Sequence, residues 1–212
     1  RQLLRLSPRV YARTRLGDIM SRINNDIGEI QRVAAEAALA WVGNVLYLVG
    51  TVAMLAWLDD ELSRTTSFWR IVIYHHPPYT AGMHIDDSFV HLSRERLAPV
   101  MDKHAVPLVL NGHEHLYQRT LPVRDGLVTD DGRGTVYVTT GGGGGPLYPY
   151  TPHALAATGV SAHHYLKARV AGGRMTVTVL GLAGEELDRV EIAPRPDALR
   201  LVNAADGTPR LA

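Results

Sequence analysis

The 212 residues carry 22 Lys and Arg against 21 Asp and Glu, a formal net charge of +1, with 46% hydrophobic and 20% charged side chains. A charge so balanced gives no hint of a nucleic-acid or acidic-polymer partner, and no nucleic-acid partner is expected. The lack of cysteine excludes disulfides and thiolate metal sites, and the length suits one medium domain or two small ones.

The averages conceal distinct regions. Residues 1–36 are charged and Arg-rich. In "VYARTRLGDIMSRINNDIGEIQRVAAEAA", Ile19, Ile23, Ile27 and Ile30 recur at spacings of four, four and three, which predicts an amphipathic helix with one apolar stripe. Residues 37–58, "AALAWVGNVLYLVGTVAMLAWL", form 22 residues without a charge, and Asn44 and Thr51 are the clearly polar side chains among them. About 20 apolar helical residues span a bilayer's hydrocarbon core, and Trp41 and Trp57 stand near the two ends, where interfacial aromatics belong. A transmembrane helix is expected over 37–58, against the alternative of a buried core helix. The Arg-rich flank keeps the N-terminal side cytoplasmic and places the chain beyond residue 58 on the outer side. No basic-then-apolar leader opens the sequence, so a signal peptide is not expected.

From residue 68 the period changes. "WRIVIYHH" reads as a buried strand and "HLSRERLAPVMDKHA" as a helix with Leu92, Leu97, Val100 and Met101 inward. "VPLVLNGHEH" reads as a second buried strand ending in a polar turn, and "GTVYVTTGGGGG" as a strand leaving into a glycine loop. "HHYLKARVAGGRMTVTVLGLAGEELDRVEI" predicts three antiparallel strands, with turns at Gly172-Gly173 and Ala183-Gly184. Residues 193–212 lack periodicity and are expected to be a loose tail.

Two histidine clusters stand at predicted strand ends: His75-His76-Pro77-Pro78 and Gly112-His113-Glu114-His115. Metal ligation needs neutral imidazoles or carboxylates on rigid elements, and an H-x-H spacing in extended chain sends both rings to one side. Two such clusters in one α/β segment, followed by the glycine run 141–145, are a stronger signal than H-x-H alone. The run is no phosphate-binding P-loop, because no G-K-[ST] comes after it. It reads as a flexible loop or as a border of the metal site.

These residues carry a resemblance. "IVIYHHPPYTAGMH", "PLVLNGHEHLYQRT" and "GTVYVTTGGGG" resemble, in order, the last half of a calcineurin-like metallophosphoesterase of the purple acid phosphatase type, over about residues 55–192. The resemblance implies an α/β (α+β) fold, a β-sandwich flanked by helices, here partial and preceded by two helices, one of them transmembrane. It implies phosphate ester hydrolysis with two metal ions, commonly Fe with Zn or Mn. It implies that His75 and His113 hold one metal, that His115 holds the other and that His84 contacts or protonates the substrate. No catalysis is assigned to Asn111 or Tyr117. His76, His163 and His164 are expected to be structural, Glu114 to point away from the ligands, and His91, His104 and His153 to lie on the surface. The family's first-half ligands, a D-x-H, a G-D and a G-N-H, have no counterpart in residues 1–67. Three histidines with no carboxylate are expected to hold at most one Zn²⁺, weakly, and this half-site is expected to be inactive.

A second resemblance covers the start. "R-x-G-D-I-x-S-R-x-x-x-D" at Arg15, Gly17, Asp18, Ile19, Ser21, Arg22 and Asp26 resembles the first intracellular loop of an ABC exporter's transmembrane domain, and 37–58 the membrane helix after it. The domains expected are therefore 1–36, 37–58, 59–192 and the tail 193–212. The word "LAWLD" at 55–59 suits both parents. The alternatives to a hydrolase are an ABC exporter fragment engaged with a membrane, or a chimera of two genes with no function of its own. In the phosphoesterase setting, Leu55, Trp57, Leu58 and Leu62 form a buried helix face.

Overall fold

A computed structural model describes residues 16–192, with side chains from residue 20 onward. The motif residues Arg15, Gly17, Asp18 and Ile19 lie wholly or by their side chains outside that range, as does the expected tail 193–212. The chain divides into two compact units between Met54 and Leu55.

The first unit is built on helix α1, Leu16–Arg64. From Leu16 onward the two helices expected on either side of residue 37 run as one, because neither Pro nor a helix stop intervenes and no capping residue opens a second helix at residue 37. Its apolar side chains face outward: Leu39 is 74% exposed, Trp41 68% and Leu46 67%. A helix that is apolar all round needs lipid or other helices for company. Its span Met20–Arg64 is long and apolar enough to cross a membrane. The hydroxyl of Thr51 donates to the Tyr47 carbonyl at 2.8 Å, so this polar side chain is satisfied within the helix. Where charge resumes toward the N-terminus, Arg32 pairs with Glu29 and Glu36 one turn to either side.

The end of α1 belongs to the second unit. Leu62 is buried in its core and Leu58 packs against it. Asp59 accepts from Lys103 Nζ with both oxygens at 2.7 Å and contacts His104 Nε2 at 2.7 Å. Trp57 departs from the expected buried face and stays 63% exposed.

Strands β1 (Ile71–Tyr74), β2 (Leu108–Asn111), β3 (Tyr117–Thr120), β6 (Val136–Thr140) and β7 (Ala156–Val160) make a five-stranded sheet in the order β1-β2-β6-β3-β7. Strands β4 (Val123–Arg124) and β5 (Leu127–Val128) form a separate hairpin turning on Asp125 and Gly126, both at positive φ. Strands β1, β2 and β6 are parallel, with Tyr74, Asn111 and Thr139 in register, while β3 runs antiparallel to β6 and β7. The crossover from β1 to β2 contains α2 (Ser88–Leu92), a π-helical turn (Ser93–Leu97) and α3 (Ala98–Lys103). In that crossover Met101 is fully buried, whereas Leu92, Leu97 and Val100 are half-buried.

Period-two alternation divides the sheet's faces. Val109 and Tyr137 join Leu62, Met101 and Val106 in a core under the helices. Leu108, Val136 and Val138 point the other way, against Met175, Val177 and Val179. Those last three lie on β9 (Arg174–Gly181), the middle strand between β8 (His164–Ala171) and β10 (Glu186–Ile192). The three antiparallel strands and their turns agree with the sequence reading, with Gly172 and Gly184 at positive φ. The two sheets form a partial sandwich.

Strand β1 is not the buried strand its composition predicts. It lies at the sheet's edge, with Ile73 72% exposed and Ile71 41%. Both share the face of Leu108, which the second sheet covers farther along. An open apolar edge of this kind invites pairing with another chain.

Candidate metal centre

Parallel pairing brings the carboxyl ends of β1 and β2 together, the place where open α/β sheets put their ligands. His75 comes directly after β1, and its carbonyl accepts from Gly112 N at 3.0 Å. The chain then turns sharply. Glu114 N bonds the Gly112 carbonyl at 2.8 Å, Leu116 N bonds the Glu114 carbonyl at 2.8 Å, and His113 is held at φ 67°. A non-glycine residue in the left-handed region is strained, and such strain concentrates at functional sites.

The turn aims His113 into a group of donors. Its Nδ1 lies 3.3 Å from His75 Nε2, and its Nε2 lies 3.2 Å from Asp87 Oδ2. Two groups of three can each converge their ligand atoms within 4.8 Å: His75, His76 and His113, and His84, Asp87 and His113. Burial, together with the neighbouring His113 and His75 rings, pushes the pKa of His76 down, which favours the neutral imidazole that ligates metals. His76 also stacks on Phe89, with ring centroids 4.9 Å apart.

Glu114 leaves this group, as alternation predicts, and it is fully buried. Its carboxylate accepts from Met83 N at 3.2 Å and from His84 N at 2.8 Å, and it faces His84 Nδ1 at 3.3 Å. Gly82 makes this fit possible, because a Cβ there would overlap the Glu114 carboxylate.

His115 takes another direction from His113. Its Nδ1 lies 2.8 Å from the Pro146 carbonyl, and its ring stacks on Tyr148 at 4.4 Å between centroids. Tyr148 in turn lies 5.2 Å from the His84 ring. The structure thus gathers His75 and His84 around His113, while His115 belongs to neither donor group and stacks on Tyr148.

The glycine run borders this region. A Cβ on Gly141 would strike the Glu114 backbone, one on Gly142 would meet His164, and one on Gly145 would stand 2.6 Å from His115 Cε1. His163 Nδ1 lies 3.0 Å from the Gly142 carbonyl, which ties the start of β8 to the run. Among the residues expected on the surface, His91 is exposed, His104 is buried against Asp59, and His153 is half-buried beside Gln118.

Sequence reasoning missed Asp87 and the backing carboxylate of Glu114. The available signal was small: an acidic residue three positions after His84, opening a helix. With Asp87 present, the site does contain a carboxylate, contrary to the expected set of three histidines alone. Imidazoles with one carboxylate suit a borderline divalent ion such as Zn²⁺.

Comparison with known proteins divides the chain in the same way. Residues 1–63 match the ABC transporter transmembrane region family. Purple acid phosphatase 7 of Arabidopsis thaliana is 30% identical over 103 residues, 46% of this chain and 27% of that protein. Acid phosphatase type 7 of Mus musculus is 27% identical over 143 residues, 55% of this chain and 33% of that protein. In fold, purple acid phosphatase PPD1 from yellow lupin seeds superposes with a TM-score of 0.61 at 21% identity, over 74% of this chain and 31% of that one. The chain joins a fragment resembling each family. It spans about a third or less of the length of these phosphatases. The transporter match reaches residue 63, while packing assigns the described residues from Leu55 onward to the phosphatase-like unit.

Proposed function

We propose that the phosphatase-like unit supplies half of a metal-dependent phosphoric ester hydrolase site, and that this chain alone turns over phosphate esters negligibly. The convergence of His75, His84, Asp87 and His113 beyond β1 and β2 carries the reading, and the likeness to acid phosphatases supports it. In a completed site, His75 and His113 hold one ion, His115 serves a second and His84 faces the phosphate ester. Such ions supply Lewis-acid polarisation and an activated water. This chain's own contribution is positional: the strained turn at His113 aims one imidazole, and Glu114 fixes the ring of His84. Asp87 is the one carboxylate in either donor group among the described residues, so a bridged pair lacks its anionic ligands. Purified protein supplied with Zn²⁺, Mn²⁺ or Fe is expected to hydrolyse p-nitrophenyl phosphate at the buffer rate. Robust metal-dependent turnover overturns the inactivity.

The same reading places α1 in a membrane with the phosphatase-like unit on the outer side, supported by the apolar span and the Arg-rich N-terminal flank. Protease added to intact, right-side-out vesicles is expected to digest residues 59–192 and spare the N-terminal segment. The opposite protection pattern reverses the orientation. A second reading, an exporter fragment or a chimera without function of its own, is favoured by the transporter match running into the phosphatase-like unit. Continuous transcript reads across residues 50–65 would establish one joined gene, and their absence would favour an assembly artefact.

A further inference from the structure

Two observations at the donor cluster point beyond a half-built two-metal site. The first concerns His84. Glu114 is buried completely and accepts two backbone N–H groups, so its carboxylate acts as an acceptor. The facing His84 Nδ1 lies 3.3 Å from that carboxylate, a contact that orients the ring and leaves Nε2 on its far side. A histidine whose far nitrogen donates to a carboxylate is the arrangement that orients and strengthens metal-ligating imidazoles. The second concerns His113. Its Nε2 sits 3.2 Å from Asp87 Oδ2, and the ligand atoms of His84, Asp87 and His113 lie within 4.8 Å of one another. Their side chains keep 30%, 44% and 18% of their exposure, so the imidazoles are the more enclosed and the carboxylate the more open.

We infer that the isolated chain holds one divalent ion of the zinc type through His84, Asp87 and His113, with Glu114 behind His84. This goes beyond the proposed two-metal reading, in which His84 faces substrate and Asp87 has no part. It uses two imidazoles and one carboxylate, a set that binds Zn²⁺ with a fourth position open. The His75–His76–His113 group offers imidazoles alone, with no anionic ligand to neutralise the ion's charge, and His75 is exposed.

The experiment is a titration of the full chain in detergent with Zn²⁺, monitored by heat release, and with Co²⁺, monitored by its visible absorption. Wild type is expected to bind one equivalent. Asp87→Ala and His84→Ala are each expected to weaken binding at least about tenfold, and Glu114→Gln by about 10- to 100-fold. Asp87 is substantially exposed, so its replacement is expected to leave the melting temperature of the apo protein unchanged and separates ligation from folding. Failure of the wild type to bind, or undiminished binding by Asp87→Ala or His84→Ala, overturns the inference. Retention by Asp87→Ala together with loss in His75→Ala reassigns the ion to the all-histidine group. None of these outcomes depends on phosphatase turnover, so failure here is distinguishable from failure of the hydrolase reading.

Discussion

Asp188→Ala is expected to destabilise the phosphatase-like unit by about 3 kcal/mol, at the lower end of what removing one partner of a buried ion pair costs. Asp188 sits beside an irregularity in the pairing of β10 with β9 and reaches across to the other sheet. There its Oδ2 accepts from the Tyr117 hydroxyl at 2.6 Å and from Arg119 Nε at 2.7 Å, and its Oδ1 accepts from Arg119 Nη2 at 3.2 Å. The side chains of Arg119 and Asp188 keep only 16% and 12% of their surface, and Tyr117 keeps none. Truncation at 188 therefore strands a guanidinium and a phenol in the seam between the sheets. Burial by itself raises the pKa of Asp188, but the hydrogen bonds from Arg119 and Tyr117 outweigh it and hold the carboxyl below its usual range. A depressed native pKa contributes stability above the unfolded carboxylate value, near pH 4, and loses it as pH falls through the lower native value. Urea melts of wild type are thus expected to weaken across that acidic window, and Asp188→Asn to show a shallower dependence there. A loss under about 1 kcal/mol for Asp188→Ala would place the pair among weak surface bridges and refute the seam argument.

Gly141→Ala is expected to cost about 2–3 kcal/mol, as overpacking against an unyielding neighbour does, whereas Gly143→Ala is expected to be neutral. At 141 the added methyl would overlap the Glu114 carbonyl oxygen and stand 2.8 Å from the carbonyl carbon, both main-chain atoms. At 143 it meets nothing within 4 Å. The neighbour that must move at 141 is the strained turn that aims His113, so Gly141→Ala is also expected to weaken Co²⁺ binding. Thermal melts and Co²⁺ titrations of both variants check this. Equal stability of the two overturns the close-packed reading of the glycine run and restores that of a free loop.

Much of this was legible in the residues. The uncharged run 37–58 announces a helix whose apolar surface stays exposed among the described residues, because composition alone decides what such a helix can bury. The three terminal strands are readable because period-two alternation and glycine turns are local signals. Local signals failed where burial depends on neighbours. "WRIVIYHH" is apolar enough for a central strand, but with β2 alone beside it Ile73 is left in solvent. Trp57 shares a helix with Leu58 and Leu62, and one step around the axis separates an exposed ring from a buried core.

The sequence by itself determined the apolar helix, the strands at 71–74, 108–111 and 136–140, the three antiparallel strands after residue 163, the resemblance to two families and the presence of histidines at strand ends, since each is written in neighbouring residues. Only the tertiary structure decided which donors meet. Asp87 and His113 are 26 positions apart and Glu114 and His84 are 30, and no periodicity relates them. Their meeting comes from the parallel register of β1 and β2, which stacks the loops after Tyr74 and Asn111 at one sheet end. The left-handed turn at His113 then points successive side chains to opposite sides, one toward the donors and one into the buried backing.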